Sequence, residues 1–215
     1  MASNEFAGKS VNRTKARKLR IINLGIKRFF DILISLLGLV ILSPLLLVLA
    51  LVVRSSSPGP ALFRQERLGK NGEVFRIAKF RTMVLDAEHI GPGLQLSSSD
   101  DPRITKVGRV MRATRLDELP QLLNVLVGEM SLVGPRPPAT YWPYDGFANY
   151  PEWAKKRFTM RPGMTGLVQV SHEVSFSPWD DRIVVDNEYV DNFTVFLDIR
   201  ILLLTVKTVF KHEAI

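Results

Sequence analysis

Between Ile32 and Val53 the chain runs through 22 residues, of which only Ser35, Gly38, Ser43 and Pro44 are not apolar. About 20 apolar residues in succession are enough for a helix to cross the hydrocarbon core of a bilayer. A secretory signal fits poorly, because the apolar region is too long and no small-residue cleavage site follows Arg54. A buried helix of a soluble core is the other reading, and the length weighs against it. Two features argue against a simple crossing. Pro44 sits mid-run, where proline removes a backbone donor and crowds the preceding turn. Both flanks are basic, with Lys27 and Arg28 before the run and Arg54, Arg64, Arg67 and Lys70 after it. That pattern gives a crossing no preferred direction and is satisfied when both ends stay on one side. The expectation is therefore a re-entrant membrane helix over residues 21–57, broken at Ser43–Pro44, in preference to a kinked single span. Each half of about 10 residues would rise about 15 Å. The Val40 carbonyl, deprived of its donor by Pro44, would need a partner, and the Ser43 hydroxyl can supply one.

The net charge of +8 does not indicate nucleic acid, because of where it lies. Residues 1–30 carry eight bases against the single acid Glu5, whereas the remaining 185 residues carry 21 bases and 20 acids. The excess thus sits in an arm, residues 1–20, next to the apolar run, which suits contact with anionic lipid headgroups; a solvated, flexible tail is the plainer reading. There is no cysteine, which excludes disulfides, thiol catalysis and zinc–thiolate sites. Only His89, His172 and His212 are present, too few for a histidine-rich metal site.

Residues 58–215 read as one small α+β domain that begins at the breaker cluster Ser55–Pro60. Ala61–Arg67 and Glu73–Phe80 flank Asn71-Gly72, a strong turn signal, and predict an antiparallel hairpin. Residues 91–102, rich in Gly, Ser, Pro and Asp, read as a loop. Leu116, Leu119, Leu122, Leu123 and Leu126 have helical spacing, and Pro120, best tolerated in a first turn, places the helix start near Asp117. Gly134–Pro138 reads as a stiff loop and Arg161–Gly166 as a turn. A last helix is expected from Val195 to Phe210, with Phe196, Ile199, Leu203, Val206 and Phe210 along one stripe.

Chemistry concentrates in Asp101–Gln121, "DPRITKVGRVMRATRLDELPQ". Asp117 and Glu118 stand at the expected helix start behind Arg103, Arg109, Arg112 and Arg115. Helix dipole and guanidinium groups both favour ionised carboxylates and bound phosphate. This set suits phosphoryl transfer, in which one carboxylate is a nucleophile, its neighbour holds Mg²⁺ and arginines stabilise the moving phosphate. Taken alone, an acidic pair at a helix start is more often a cap.

Three runs in order, "KFRTM" (Lys79–Met83), Asp101–Pro137 with its "RLDELPQLLN" and "GPRP", and "RPGMTG" (Arg161–Gly166), resemble the bacterial sugar transferase family of monotopic phosphoglycosyl transferases. The likeness extends from about Lys27 almost to the C-terminus and includes an apolar hairpin with a central Ser–Pro. The resemblance implies a monotopic protein with a re-entrant helix and a small mixed helix/β-hairpin catalytic domain on the cytoplasmic face of the bacterial inner membrane, in the family's minimal catalytic form. It implies transfer of a sugar-1-phosphate from a UDP-sugar to polyprenyl phosphate with release of UMP, as the first membrane step of glycoconjugate synthesis. Asp117 matches the aspartate that becomes a covalent phospho-sugar intermediate. Glu118 matches its partner, and both stand at the Mg²⁺. Arg112 and Arg136 match basic positions flanking the reaction centre, and Lys79 and Arg103 join them as phosphate-binding candidates. Membrane lipids are further partners, nucleic acid is not one, and a homo-oligomer stays open. Two departures bear on how nucleotide or sugar is held. Pro138 stands where relatives often carry Glu, and "TGLVQVSHEV" (Thr165–Val174) lacks their Trp and replaces a Gly–Arg by His172-Glu173. A non-catalytic membrane adaptor of a polysaccharide assembly complex would account for arm and hairpin but has no use for arginines around Asp117–Glu118.

Overall fold

The computed structural model describes residues 2–87, 90, 101–171, 174 and 177–210, with side chains from Lys18 to Thr208. Most of the loop expected at 91–102, and the His172-Glu173 departure, lie outside the described residues. Helix and strand are mixed, as expected.

Helix α1 (Ala2–Ser56) takes up the basic arm and the apolar run together, with Pro44 inside it. The described part of the arm, residues 2–20, is helical and continuous with the apolar run. Its Lys, Arg, Ala and Leu are good helix formers, and extending a formed helix adds one hydrogen bond per residue fixed. The expected break at Ser43–Pro44 is also not a break in helical structure. The Ser43 hydroxyl donates to Val40 O at 2.8 Å, the carbonyl that Pro44 leaves without a donor. By length and composition α1 can cross a membrane from Lys18 to Ser56. Its outer face is bare, with Ile41 71% exposed.

One face of α1 rests on the rest of the protein. Lys27, Asp31 and Ser35, at successive i, i+4 positions, are buried, as is Val53 at the other end. Lys27 Nζ donates to Asp198 Oδ2 (2.6 Å) and to Val133 O (2.8 Å). Asp31 Oδ1 accepts from Ser131 Oγ (3.0 Å) and Leu132 N (2.9 Å). Farther along, Leu39 and Leu42 pack on one core cluster and Leu46, Leu49 and Ala50 on another.

Strands β1 (Leu62–Leu68) and β2 (Val74–Phe80) form the expected antiparallel hairpin, with Leu68 opposite Val74 and Phe63 opposite Lys79. Its connection holds Asn71 and Gly72 at positive φ, the conformation an Asn–Gly pair favours. Helix α2 (Lys106–Ala113) is capped by Thr105, whose Oγ1 accepts from Gly108 N at 2.8 Å. Gly108 lies against Thr82, where a Cβ would stand 2.0 Å from Thr82 O, so this approach of α2 to the end of β2 requires glycine.

Helix α3 (Gln121–Val127) starts later than expected. Leu116–Glu118 forms a 3-10 turn ahead of it, and Pro120 is the cap residue. Proline cannot donate the i→i−4 bond that would extend an α-helix back to Leu116, so the chain closes with shorter i→i+3 bonds. Asn124 fastens α3 to β2, accepting from Ala78 N (2.9 Å) and donating to Arg76 O (2.9 Å).

Strand β3 (Ser131–Val133) pairs in parallel with β4 (Gly163–Thr165), so the turn expected at Arg161–Gly166 contains a strand. The pairing joins segments some 30 residues apart, which local turn chemistry cannot reveal. The short helices α4 (Glu152–Lys155) and α5 (Leu167–Val170), then α6 (Trp179–Asp191) and α7 (Val195–Phe210), complete the fold. Helix α7 has the expected bounds, but Phe196, Ile199, Leu203 and Val206 face outward. Its buried side carries Ile201 and Asp198, because the Lys27 ion pair and the Tyr189 hydroxyl (2.7 Å from Asp198 Oδ1) hold that side inward. The main core joins Phe75 and Ile77 of β2, Leu122 and Val125 of α3, β3, and Tyr189, Val190 and Ile201.

Candidate active site

The acidic pair sits in the 3-10 turn between α2 and α3. Arg115 just before it adopts φ 58°, a left-handed conformation uncommon for a side chain of its size, and turns the chain out of α2. Asp117 is buried at 8% exposure. Lys79, on β2, places Nζ 3.2 Å from Glu118 Oε1.

The two carboxyl groups are driven in opposite directions. Burial raises the Asp117 pKa and the Glu118 charge adds to the rise, while Lys79 and Arg112 oppose it; the net shift is upward. Burial also works to raise Glu118, but the charges of Lys79, Arg136 and Arg115 outweigh it and the net shift is downward. Adjacent carboxylates with pKa values pushed apart are an arrangement that catalytic pairs use. Lys79 is itself lowered, first by burial and then by Arg136 and Arg67, with Glu118 and Asp117 holding its charge.

Arg112, on the last turn of α2, donates from Nε to Thr82 Oγ1 at 2.8 Å, and the close Gly108–Thr82 approach makes this geometry available. Burial lowers its pKa and Asp117 counters. Arg136 acts on Glu118, Lys79 and Arg67 from the stiff loop expected at Gly134–Pro138. The Arg136 carbonyl accepts from Arg157 Nη2 at 2.6 Å, which fixes that loop from below. Asp117, Glu118, Lys79, Arg112 and Arg136 are thus brought together. Arg103 is placed differently. It is buried, paired with Asp101 (Nη2–Oδ2 2.7 Å, Nε–Oδ1 2.9 Å), and donates from Nη1 to Ala87 O and Ile90 O. Its guanidinium thus braces the chain that precedes α2. Arg109 faces solvent.

Sequence reasoning did not place Arg67, Gln65 and Tyr141 at the site, where Arg67 acts on Lys79 and is acted on by Glu118. Arg67 Nη2 donates to Gln65 Oε1 (2.5 Å), and Gln65 Nε2 donates to Tyr141 Oη (3.2 Å). The signal available was strand alternation, because the pairing of Phe63 with Lys79 puts Gln65 and Arg67 on the lysine's side of the hairpin.

The donor set suits a hard divalent cation of the Mg²⁺ type, which is commonly held by one or two carboxylates together with substrate phosphates. Glu118 stays ionised, and Asp117 is its sequence neighbour. Among the described residues no cluster of three acidic or histidine side chains offers a dedicated metal cage.

The model of the family described as bacterial sugar transferase matches residues 22–212. Galactosyl transferase CpsE of Streptococcus agalactiae serotype III (strain NEM316) is 40% identical over 213 residues, covering 95% of this chain and 46% of that protein. The UDP-glucose:undecaprenyl-phosphate glucose-1-phosphate transferase of Escherichia coli (strain K12) is 38% identical over 198 residues, 90% of this chain and 42% of that protein. The chain thus spans less than half the length of these two relatives. Exopolysaccharide production protein PSS of Rhizobium leguminosarum bv. phaseoli is 44% identical over 194 residues, 86% of this chain and 95% of that protein. The chain belongs to the bacterial sugar transferase family.

Proposed function

We propose that this chain is a transferase that moves a sugar-1-phosphate from a UDP-sugar to undecaprenyl phosphate, through a covalent intermediate on Asp117. The observation that carries the reading is the pairing of a buried Asp117 with a half-buried Glu118, shifted in opposite directions, with Lys79, Arg112 and Arg136 acting on them. Printed names among the relatives, such as the E. coli UDP-glucose:undecaprenyl-phosphate transferase, support the substrate classes. The exopolysaccharide protein of Rhizobium supports a place in polymer assembly.

An Asp117 carboxylate oxygen attacks the phosphorus that bears the sugar. The bond from that phosphorus to the bridging oxygen breaks, and UMP leaves with the bridging oxygen. An oxygen of undecaprenyl phosphate then attacks the same phosphorus and breaks its bond to Asp117. The products are undecaprenyl-diphospho-sugar and a free carboxylate. Lys79, Arg112 and Arg136 hold the charge of the diphosphate and of the transferring phosphoryl group. Mg²⁺, held at Glu118 and Asp117, would neutralise diphosphate charge as UMP departs.

α1 is proposed to enter and leave the inner membrane on the cytoplasmic face as a re-entrant helix turning at Ser43–Pro44. Support comes from both ends resting on one body, Lys27 against β3 and α7, Val53 against Phe80 and Met111. Residues 27 and 53 lie about 39 Å apart along a straight helix. That exceeds the roughly 30 Å hydrocarbon core, so in a crossing helix a bilayer would separate two contacts made to the same body. Residues 58–215 then form the cytoplasmic catalytic domain.

The test is UMP release from a panel of UDP-sugars in detergent, with undecaprenyl phosphate and Mg²⁺ each present or omitted. UMP formed from at least one UDP-sugar is expected. Undecaprenyl-diphospho-sugar forming without UMP, or no reaction across the panel, would overturn the reading.

A further inference from the structure

Arg67 carries more charge and more donors than its structural contacts use. It lies on β1, pairs with Phe75, and shares the hairpin's inward side with Gln65 and Lys79. The backbone beside it is tied to the stiff loop of Arg136: Leu68 N donates to Pro138 O at 3.0 Å, and Arg67 bridges Ala139. Any movement of that loop therefore carries Arg136 and Arg67 together.

The guanidinium has five N–H donors. Nη2 donates to Gln65 Oε1 at 2.5 Å and Nη1 makes a long contact to Pro137 O at 3.3 Å. Nε is buried with no hydrogen-bond partner. Among the described residues no carboxylate lies within ion-pair distance of Arg67, and Glu118, which acts on it from farther away, is paired with Lys79. Burial, reinforced by Arg136, brings the Arg67 pKa down to about 10.

A brace for the Pro137 carbonyl needs one donor and no charge. A half-buried cation on which a second guanidinium acts, with its Nε buried and unpartnered, is costly unless an anion completes it. The Gln65 amide, anchored at Tyr141, fixes the orientation of the fork before any ligand arrives.

We infer that Arg67 is a further binding residue of this site, which with Arg136 clamps a phosphate oxyanion beside Lys79 and Glu118. The inference rests on the phosphoglycosyl transfer reading. The oxyanion is either the diphosphate of the nucleotide sugar or the phosphate of the acceptor lipid, and both present the same chemistry to the fork.

The probe is inorganic pyrophosphate, titrated by ³¹P NMR into the full-length protein in detergent, as wild type, Arg67→Met, Arg67→Lys and Gln65→Leu. Arg67→Met should weaken binding on the order of tenfold or more, as loss of a charge-assisted contact does. Arg67→Lys, which keeps the charge and loses the fork, should fall between. Gln65→Leu, which leaves the cation but frees it to turn, should weaken binding about threefold. Affinity unchanged in Arg67→Met with a lowered melting temperature would show a brace alone and overturn the inference. Should Arg67→Met fail to fold, wild-type affinity in both Arg67→Lys and Gln65→Leu would overturn it equally. Absence of pyrophosphate binding by the wild type would do the same.

Two kinetic arms separate the sources. A rise in the UDP-sugar concentration needed for half-maximal single-turnover UMP release assigns Arg67 to the donor diphosphate. A rise confined to undecaprenyl phosphate in the second half-reaction assigns it to the acceptor. A change in neither, against a wild type that turns over normally, counts against a substrate contact. A wild type that binds pyrophosphate through Arg67 yet releases no UMP would instead remove the transferase reading and leave the anion site.

Discussion

Lys79 Nζ lies 3.2 Å from Glu118 Oε1, and this contact ties strand β2 to the turn that carries Asp117. Both side chains are about one-fifth exposed, so water weakens the pair less than it would at an open surface. The pairing divides the labour of the two carboxyl groups. Lys79 is the first charge holding Glu118 ionised, while Asp117 keeps the higher affinity for a proton.

Asp117→Asn is expected to abolish UMP release and to abolish trapping of a sugar-phosphate adduct on the protein. Glu118→Gln should lower the rate by on the order of a hundredfold or more while the circular dichroism spectrum stays that of the wild type. Intact-protein mass spectrometry after mixing with UDP-sugar alone reads the adduct. An adduct surviving in Asp117→Asn would assign the nucleophile elsewhere.

The pH profile of kcat/KM follows from the opposed shifts. Protonation removes the Asp117 nucleophile, and its pKa is raised in the folded protein, so the acid limb should lie above the ordinary aspartate range. Glu118→Gln removes a neighbouring negative charge and should move that limb to lower pH. Lys79→Met removes a positive charge and should move it to higher pH. Movement of both variants in the same direction would sink this assignment.

The Lys27–Asp198 pair is buried at both ends, and Asp198 also accepts from Tyr189. Removing one partner of a buried pair leaves an uncompensated charge, at a cost of about 3–5 kcal/mol. Lys27→Met should therefore lower stability by that order in thermal or denaturant unfolding in detergent. Lys27→Met combined with Asp198→Asn should recover part of the loss. A double variant destabilised by the sum of Lys27→Met and Asp198→Asn measured singly would show that the pair contributes no coupling.

A covalent intermediate predicts ping-pong kinetics, with UMP formed before the lipid acceptor binds. Parallel double-reciprocal lines are expected when UDP-sugar and undecaprenyl phosphate are varied together. Chelation of divalent metal should stop UMP release, and Mg²⁺ should restore it. Intersecting lines would point to a ternary complex in which the lipid attacks the nucleotide sugar directly.

The topology of α1 can be read by labelling, since the chain has no native cysteine. Cysteines placed singly at Ser10 and at Glu152, whose side chain is 88% exposed, should both resist an impermeant thiol reagent in intact cells. Both should react once the inner membrane is opened. Pro44→Leu, which restores the backbone donor that Pro44 denies the Val40 carbonyl and so favours a straight crossing, should expose the residue-10 site from outside and impair activity. Labelling of the wild-type arm from outside would establish a crossing helix.

The sequence by itself determined the elements whose causes are local. The apolar run at Ile32–Val53, the Asn71-Gly72 hairpin and the bounds of the last helix were legible because periodicity and turn chemistry act within a few residues. The need of the Val40 carbonyl for the Ser43 hydroxyl followed from the missing donor of Pro44 alone. Asp117, Glu118, Arg112, Arg136 and Lys79 could be named because they stand in motif runs with recognisable chemistry. Only the tertiary structure decided which arginine does which work. Arg103 and Arg112 look alike in the sequence, but one is consumed by Asp101 and two carbonyls while the other reaches Thr82 beside the acidic pair. Arg67 joins the site through strand register and the Leu68–Pro138 contact, and α7 turns its apolar stripe outward because Asp198 must meet Lys27 across 171 residues of chain. Such assignments depend on what a side chain meets after folding, and a charge separated from its partner by that much sequence leaves no local trace of the pairing.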